Sequence, residues 1–442
     1  MNKISSIGFL ERTFKMEILL SISCALIAGL LMSRVVKPLG LPAVTGYLVA
    51  GVLIGPYCLG LLGVEGLGFL SMEYVEKFGL ISDVALGFIA FSIGNEFRLS
   101  DLKKTGKQAT VIGIIQALVA TLFVDVALIA LSFILGEDVL PKSVCITLGA
   151  VATATAPAAT LMVVRQYKAK GKLTDILLPI VALDDAVGLI VFAVSFGISK
   201  AMVRGETDIV SIIVNPLLEI VVSLLLGAVI GFIFSETEKL FHSRSKRLSV
   251  SVTFVFLTVA LTMIKIELGS VIISASPLLT CMMLGTIFCN VCESSEELMD
   301  RVDRWTTPLF ILFFVISGAE LELGVFTSLA VVLIGIVYII FRSLGKIFGA
   351  TFSARLMKCD ETIVKHLGIT LLPQAGVALG MSVTAMQLGA YEGGLIRNII
   401  LFSVLIYELV GPIMTKNALI KAGEIIPEGR KSAKKIDAHR VK

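Results

Sequence analysis

The chain has 442 residues, of which 56% are hydrophobic and 16% charged, and its formal net charge is +4. Soluble domains usually carry about a quarter charged residues, so this composition excludes an ordinary soluble protein. Apolar stretches long enough to cross a ~30 Å hydrocarbon core recur along the chain, without the polar–apolar alternation of outer-membrane strands. We therefore predict an all-α polytopic membrane protein.

Thirteen apolar segments are predicted to span the membrane, and the first lacks a signal-peptide cleavage site. In chain order they are 17–35, 41–59, 80–96, 108–135, 143–164, 175–199, 209–233, 248–265, 269–291, 306–323, 326–354, 367–389 and 396–417. Lys and Arg are roughly three times as frequent in the loops after odd-numbered segments as on the other side, which predicts an external N-terminus and a cytoplasmic C-terminus.

Three regions follow from this topology. Residues 1–16 are expected to be an N-terminal extracellular segment and residues 418–442 a short basic cytoplasmic tail. The transmembrane domain between them covers residues 17–417.

The transmembrane domain contains a weak internal repeat. Residues 88–97 (FIAFSIGNEF) resemble 312–321 (LFFVISGAEL) with an offset of 224 residues, and 153–160 resemble 370–378 with an offset of 216 residues between Pro157 and Pro373. Under the predicted orientation the matching segments run in opposite directions, as in the inverted repeats of secondary transporters. The two repeats are expected to cover about 41–199 and 269–417.

A proline lies inside a predicted span at matching places in both repeats. Pro157 follows small and hydroxylated residues, and Pro373 precedes Gln374. Because proline removes a backbone donor and clashes with the preceding turn, both spans are predicted to be broken helices whose freed backbone groups line a cavity.

Two adjacent acids, Asp184 and Asp185, interrupt the apolar span 175–199. Each charge at the centre of a bilayer costs at least ~2.5–3.5 kcal/mol, so packing alone does not explain the pair. The second repeat has Ile400 and Leu401 at the equivalent positions. The pair is therefore predicted to be the functional centre, holding a proton or a metal cation in transit.

Few basic residues are available to neutralise this pair. Arg342 and Lys346 lie well inside the span 326–354, and their depth permits either to pair with an aspartate. Lysine is favoured where deprotonation is required, because a buried lysine titrates and an arginine does not. Two further acids within the spans, Glu219 and Glu408, are open to a proton path, an oligomer contact or a structural role.

At these residues the chain resembles the monovalent cation:proton antiporter family, which comprises sodium/proton and potassium/proton exchangers. The resemblance rests on five motifs that occur in family order and cover about residues 17–417. They are Thr153-Ala-Thr155-Ala-Pro157, Ala182-Leu-Asp184-Asp185-Ala-Val-Gly188, Phe313-Phe-Val-Ile-Ser-Gly318-Ala-Glu320, Arg342-Ser-Leu-Gly345-Lys346-Ile-Phe-Gly349 and Leu372-Pro-Gln-Ala-Gly-Val-Ala-Leu-Gly380.

The resemblance implies a thirteen-helix fold with a core and a dimerisation domain, two crossed broken helices, alternating access and a homodimer in the plasma membrane. It also implies that Asp185 binds the alkali cation or the proton, while Asp184 pairs with a lysine. Lys346 matches that lysine, whereas Arg342 matches an arginine of another branch. An aspartate at position 184, where electroneutral relatives have asparagine, implies electrogenic exchange.

The resemblance is incomplete in the first broken helix. Some relatives have an aspartate where this chain has Ala156, so Thr155 and Thr153 are left to supply hydroxyl or carbonyl oxygens. Hard oxygen ligands of this kind suit an alkali cation. The sequence does not distinguish Na⁺ from K⁺ or Li⁺.

Two other transporter classes remain as alternatives: an organic-anion/sodium symporter on a related fold and, less well matched, a cation channel. An intramembrane enzyme is not expected, because the three histidines form no Ser/His or His/Glu constellation. We expect no cofactor and no nucleic-acid partner; the expected partners are Na⁺ or K⁺, H⁺ and the lipid bilayer.

Overall fold

The computed structural model describes residues 2–39, 43–64, 68–95, 97–156, 160, 163–164, 167–205, 214–268, 271–321 and 328–425. The α-helices are α1 Asn2–Val36, α2 Ala43–Ile54, α3 Met72–Glu76, α4 Gly79–Asn95, α5 Leu99–Leu135, α6 Lys142–Val151, α7 Lys172–Val203, α8 Asn215–Lys239, α9 Arg244–Thr262, α10 Pro277–Val291, α11 Ser295–Ala319, α12 Leu329–Leu356, α13 Glu361–Thr370, α14 Gly376–Ala385 and α15 Ala390–Lys421. Short 3₁₀ helices occupy Lys37–Leu39, Leu59–Leu62 and Met386–Leu388, and two strands are β1 Ile266–Leu268 and β2 Val271–Ile273.

The all-α membrane fold is confirmed. Within the described ranges, nine helices are long and apolar enough to cross a membrane, and four shorter apolar helices accompany them. Each predicted span overlaps a helix or an interrupted helix. The first and last helices are longer than the predicted spans: α1 already begins at Asn2, and α15 continues to Lys421.

The predicted start of the span 269–291 is wrong. An antiparallel hairpin of β1 and β2 precedes the helix, with Ile266 opposite Ile273. The helix itself begins at Pro277, with Ser276 as its N-cap. The apolar, β-branched residues of the hairpin continue the hydropathy of the helix, and hydropathy alone does not separate the two elements.

The helices form two groups that pack mainly among themselves. The core group consists of α5–α7 and α12–α15, and the scaffold group of α1, α2, α4 and α8–α11. The groups meet where α7 packs against α4, α8 and α10, where α15 packs against α2 and where α14 packs against α4.

Two glycines allow a close contact between α12 and α5 within the core group. A Cβ at Gly345 would lie 2.8 Å from the Ala120 Cα, and one at Gly349 would lie 2.9 Å from the Gln116 Cα. This small-xxx-small spacing on α12 lets its backbone approach α5 closely, as at many membrane helix interfaces. The contact fixes the rotation of α12 and turns Lys346, which lies between the glycines, into the core group.

Candidate functional site: the crossing of two interrupted helices

Two helices of the core group are interrupted where proline was expected to break them. The first, α6, ends at Val151, and residues 152–156 continue without regular helix; this is the first break. The second, α13, ends at Thr370, and α14 resumes at Gly376 after the second break, 371–375. Pro157 lies outside the described residues.

The two breaks contact each other directly. The Ala156 amide donates to the Pro373 carbonyl at 2.9 Å. The Gln374 side chain donates from Nε2 to the Val151 carbonyl at 3.0 Å. Backbone groups released by each break are thus satisfied by the other, which is how irregular backbone is tolerated at membrane depth.

Asp184 lies on α7 beside this crossing and is completely buried. Its Oδ2 atom is 2.7 Å from the Lys346 Nζ and also accepts from the Thr155 hydroxyl. Its Oδ1 atom accepts from the Gln116 side-chain amide. Donors from three elements, α5, α12 and the first break, therefore reach the two carboxylate oxygens and hold this aspartate in one position.

Lys346 connects the aspartate to the first break. Its ammonium group, also fully buried, donates to the Thr153 carbonyl at 2.5 Å and to the Thr155 hydroxyl at 3.0 Å, in addition to Asp184. A buried ion pair is stable only when further hydrogen bonds satisfy its remaining donors and acceptors. This arrangement supplies them.

Arg342, the alternative partner of the first aspartate, is oriented differently. Its guanidinium donates to the carbonyls of Ala152 at 3.2 Å, Ala154 at 2.6 Å and Leu372 at 2.8 Å, and it lies 4.4 Å from the centre of the Tyr407 ring. The arginine therefore binds both breaks at once. The fork of five donors that distinguishes arginine from lysine is suited to this role.

Asp185 follows in the same helix, about 100° around its axis from its neighbour, and its side chain lies outside the described part of the structure. One turn later, Gly188 brings the first break close to this helix. A Cβ there would be 2.7 Å from the Thr153 hydroxyl oxygen.

A family model described as "Sodium/hydrogen exchanger, transmembrane" matches residues 22–421 of the chain. The chain belongs to this family.

Relatives of this exchanger have modest sequence identity over most of their length. The high-affinity Na⁺/H⁺ antiporter NhaS3 of Synechocystis sp. is 25% identical over 422 residues, covering 89% of this chain and 88% of the relative. The K⁺/H⁺ antiporter subunit KhtU of Bacillus subtilis is 24% identical over 417 residues, covering 91% and 94%.

A solved structure has the same fold. The sodium proton antiporter MjNhaP1 of Methanocaldococcus jannaschii at pH 8 superimposes with a TM-score of 0.70, covering 96% of this chain and 99% of that one at 16% identity. The family is one of transporters.

Glu219, Glu408 and Gln374, which were proposed from the sequence, have no described contact with the Asp184–Lys346 ion pair of this exchanger. The Gln374 side chain donates to the Tyr338 hydroxyl at 3.0 Å, a contact that stabilises the second break. Glu408 is buried on α15, where it accepts from Thr45 of α2 at 3.3 Å. Glu219 is partly exposed on α8.

The Glu219 carboxylate is 3.9 Å from the Lys200 ammonium, across the contact between the core and scaffold groups. It lines a cavity of about 270 Å³ between these groups, together with Asp83, Phe192 and Thr384. Neither this acid nor Glu408 has a described contact with Asp184.

Two polar residues of the exchanger were not singled out from the sequence. Gln116 is fully buried in α5 and binds Asp184; a neutral amide within an apolar span was the available signal. Arg397 is 4% exposed in α15. The predicted span began at residue 396, which placed this arginine at a helix end instead of seven residues inside.

Proposed function

We propose that this member of the sodium/hydrogen exchanger family exchanges a monovalent cation, Na⁺ or K⁺, for protons across the plasma membrane by alternating access. The observation that carries the proposal is the buried Asp184–Lys346 pair at the crossing of the two breaks. The names of the relatives NhaS3 and KhtU support Na⁺ and K⁺, respectively, as the cation.

In this proposal Asp185 is the carrier and Asp184 its fixed neighbour. A carboxyl group with little access to water can hold a proton or release it to bind a dehydrated cation. Because one group binds both ions in turn, cation and proton compete for it. Antiport then needs no second pathway.

The other residues at the crossing of the two breaks hold Asp185 in place. Thr153 and Thr155 hold the Lys346 ammonium through a carbonyl and a hydroxyl oxygen. Gln374 fixes the second break against the first. The two breaks, one directly before Pro157 in the sequence and one at Pro373, supply backbone oxygens for a cation. Exchange is electrogenic in this proposal, because the first acid is an aspartate and not an asparagine.

The proposed assembly is a homodimer formed through the scaffold group, with an external N-terminus and a cytoplasmic C-terminus. The transmembrane domain is proposed to consist of two inverted repeats. The family match, which names an exchanger, disfavours an organic-anion symporter and a channel.

The test is cation-driven proton movement in proteoliposomes that contain the purified protein and a pH-sensitive dye. Addition of Na⁺ or K⁺ should move protons, and Asp185→Asn should abolish the signal. Asp138→Asn, the same change at an exposed loop residue, is the matched control and should behave like the wild type. Exchange that survives in Asp185→Asn at the wild-type rate would refute the proposal.

A further inference from the structure

A second ion pair, buried on its basic side, lies away from the crossing. Arg397 on α15 donates to the carboxylate of Glu320, which directly follows the last residue of α11. The same guanidinium donates to the Ser317 hydroxyl at 3.3 Å and to the Ser382 hydroxyl at 2.9 Å. The two charged side chains are 5% and 19% exposed, respectively.

This contact joins the two helix groups. Arg397 and Ser382 belong to the core group, whereas Ser317 and Glu320 belong to the scaffold group. Ser382 lies on α14, the helix that resumes after the second break. One side chain therefore ties a broken helix of the site to the scaffold.

The other face of α14 is next to the cavity between the groups. Residues two positions apart on a helix point about 200° apart, and Thr384 lines that cavity while Ser382 receives the arginine. Any shift of the core group relative to the scaffold must therefore change both the ion pair and the cavity.

The Arg397–Glu320 pair differs from the second ion pair that joins the two helix groups, Lys200–Glu219. Lys200 and Glu219 also connect the two groups, but their charges are 3.9 Å apart and 23% and 19% exposed. The ion pair of Arg397 is hydrogen-bonded by two serines and more deeply buried on its basic side. Removing one partner of such a pair leaves an uncompensated charge away from water.

We propose that Arg397 is a positioning residue that holds the second broken helix to the scaffold through Glu320. The pair stabilises the described arrangement of the two groups and opens when the core group moves during each exchange cycle. It therefore controls the rate of that movement and not the affinity of the cation site. This inference rests on the proposed alternating access.

The first experiment restrains the pair. In a variant lacking the seven native cysteines, Arg397→Cys and Glu320→Cys are combined and joined by a short, reducible bis-thiol reagent. Cross-linking should remove at least about 90% of the exchange signal, because the groups can no longer separate, and reduction should restore it. Ser21→Cys with Tyr74→Cys joins α1 to α3, which packs against α1, α2 and α11 of the scaffold group, and its cross-linking should leave exchange unchanged.

The second experiment measures what the pair controls. Glu320→Gln and Arg397→Lys should each change the maximal exchange rate by at least about fivefold, an effect of the size expected when one barrier is altered by the loss of one ion pair. The cation concentration for half-maximal exchange should stay within about twofold, since the site is untouched. The exchange of charges, Glu320→Arg with Arg397→Glu, should recover most of the wild-type rate.

Wild-type rates in the single variants, a change confined to the half-maximal cation concentration, or full exchange by the cross-linked protein would each overturn the inference. These outcomes are distinct from failure of the proposed function. In that case the wild type would not exchange ions, or Asp185→Asn would still do so, whatever the state of the Arg397–Glu320 pair.

Discussion

Replacement of Lys346 by glutamine tests the ion pair at the crossing. The change removes the ammonium group that lies 2.7 Å from the Asp184 carboxylate, while the amide preserves most of the side-chain volume. The Asp184 carboxylate then remains fully buried without the Lys346 ammonium group beside it. We expect the folded protein to lose stability as well as exchange activity.

The contacts of Asp184 set the size of this effect. Removing one partner of a buried pair generally costs ~3–5 kcal/mol. The Gln116 amide and the Thr155 hydroxyl still donate to the carboxylate, and each such bond to a charged group contributes about 1.5–3 kcal/mol. We therefore expect a loss near the lower limit, about 3 kcal/mol in the free energy of unfolding.

The assay is denaturant unfolding of the purified protein in mixed micelles. Asp184→Asn combined with Lys346→Gln should recover at least about half of the lost free energy, because the uncompensated charge is gone. Lys365→Gln breaks an exposed pair with Glu361 on α13 and is the matched control, expected to leave stability unchanged. A Lys346→Gln variant as stable as the wild type, or a double variant no better than the single one, would refute this account of the pair.

Three further predictions concern the same site. Gly188→Ala should lower the exchange rate at least about tenfold in the dye assay, because its Cβ would lie 2.7 Å from the Thr153 hydroxyl oxygen. Gly394→Ala is the control and should not lower the rate, because a Cβ there meets nothing within 4 Å. Equal rates in the two variants would contradict this prediction. Arg342→Lys keeps the positive charge but loses the planar set of guanidinium donors. It should reduce the free energy of unfolding by about 1.5–3 kcal/mol for each carbonyl left without its donor. An unchanged free energy of unfolding would show that the charge alone stabilises the breaks. An imposed membrane potential should change the exchange rate, and a rate indifferent to voltage would exclude electrogenic exchange.

Much of the fold was predictable because bilayer thickness leaves a strong signal in hydropathy. That signal does not identify secondary structure, and the second strand of the hairpin, Val271–Ile273, was therefore assigned to a helix. The helix boundary depended on Pro277 and its cap, which are local features that a sliding average of hydropathy removes.

The site was partly predictable for a related reason. Asp184 was identified from the cost of its charge, but depth along a helix could not choose between Arg342 and Lys346. The choice depends on rotation about the helix axis, which the close contact of Gly345 and Gly349 with α5 determines. Gln116 carries no charge, so the criterion that found the aspartate did not detect it.

The position of Arg342 has a consequence for the electrostatics of the crossing. The C-terminal end of a helix carries about half a negative charge, and two such ends, those of α6 and α13, meet at the breaks. The arginine bonded to their carbonyls contributes one full positive charge that does not titrate in proteins. This positive charge offsets the partial negative charges of the two helix C-termini and so lowers the electrostatic cost of bringing them together at the crossing.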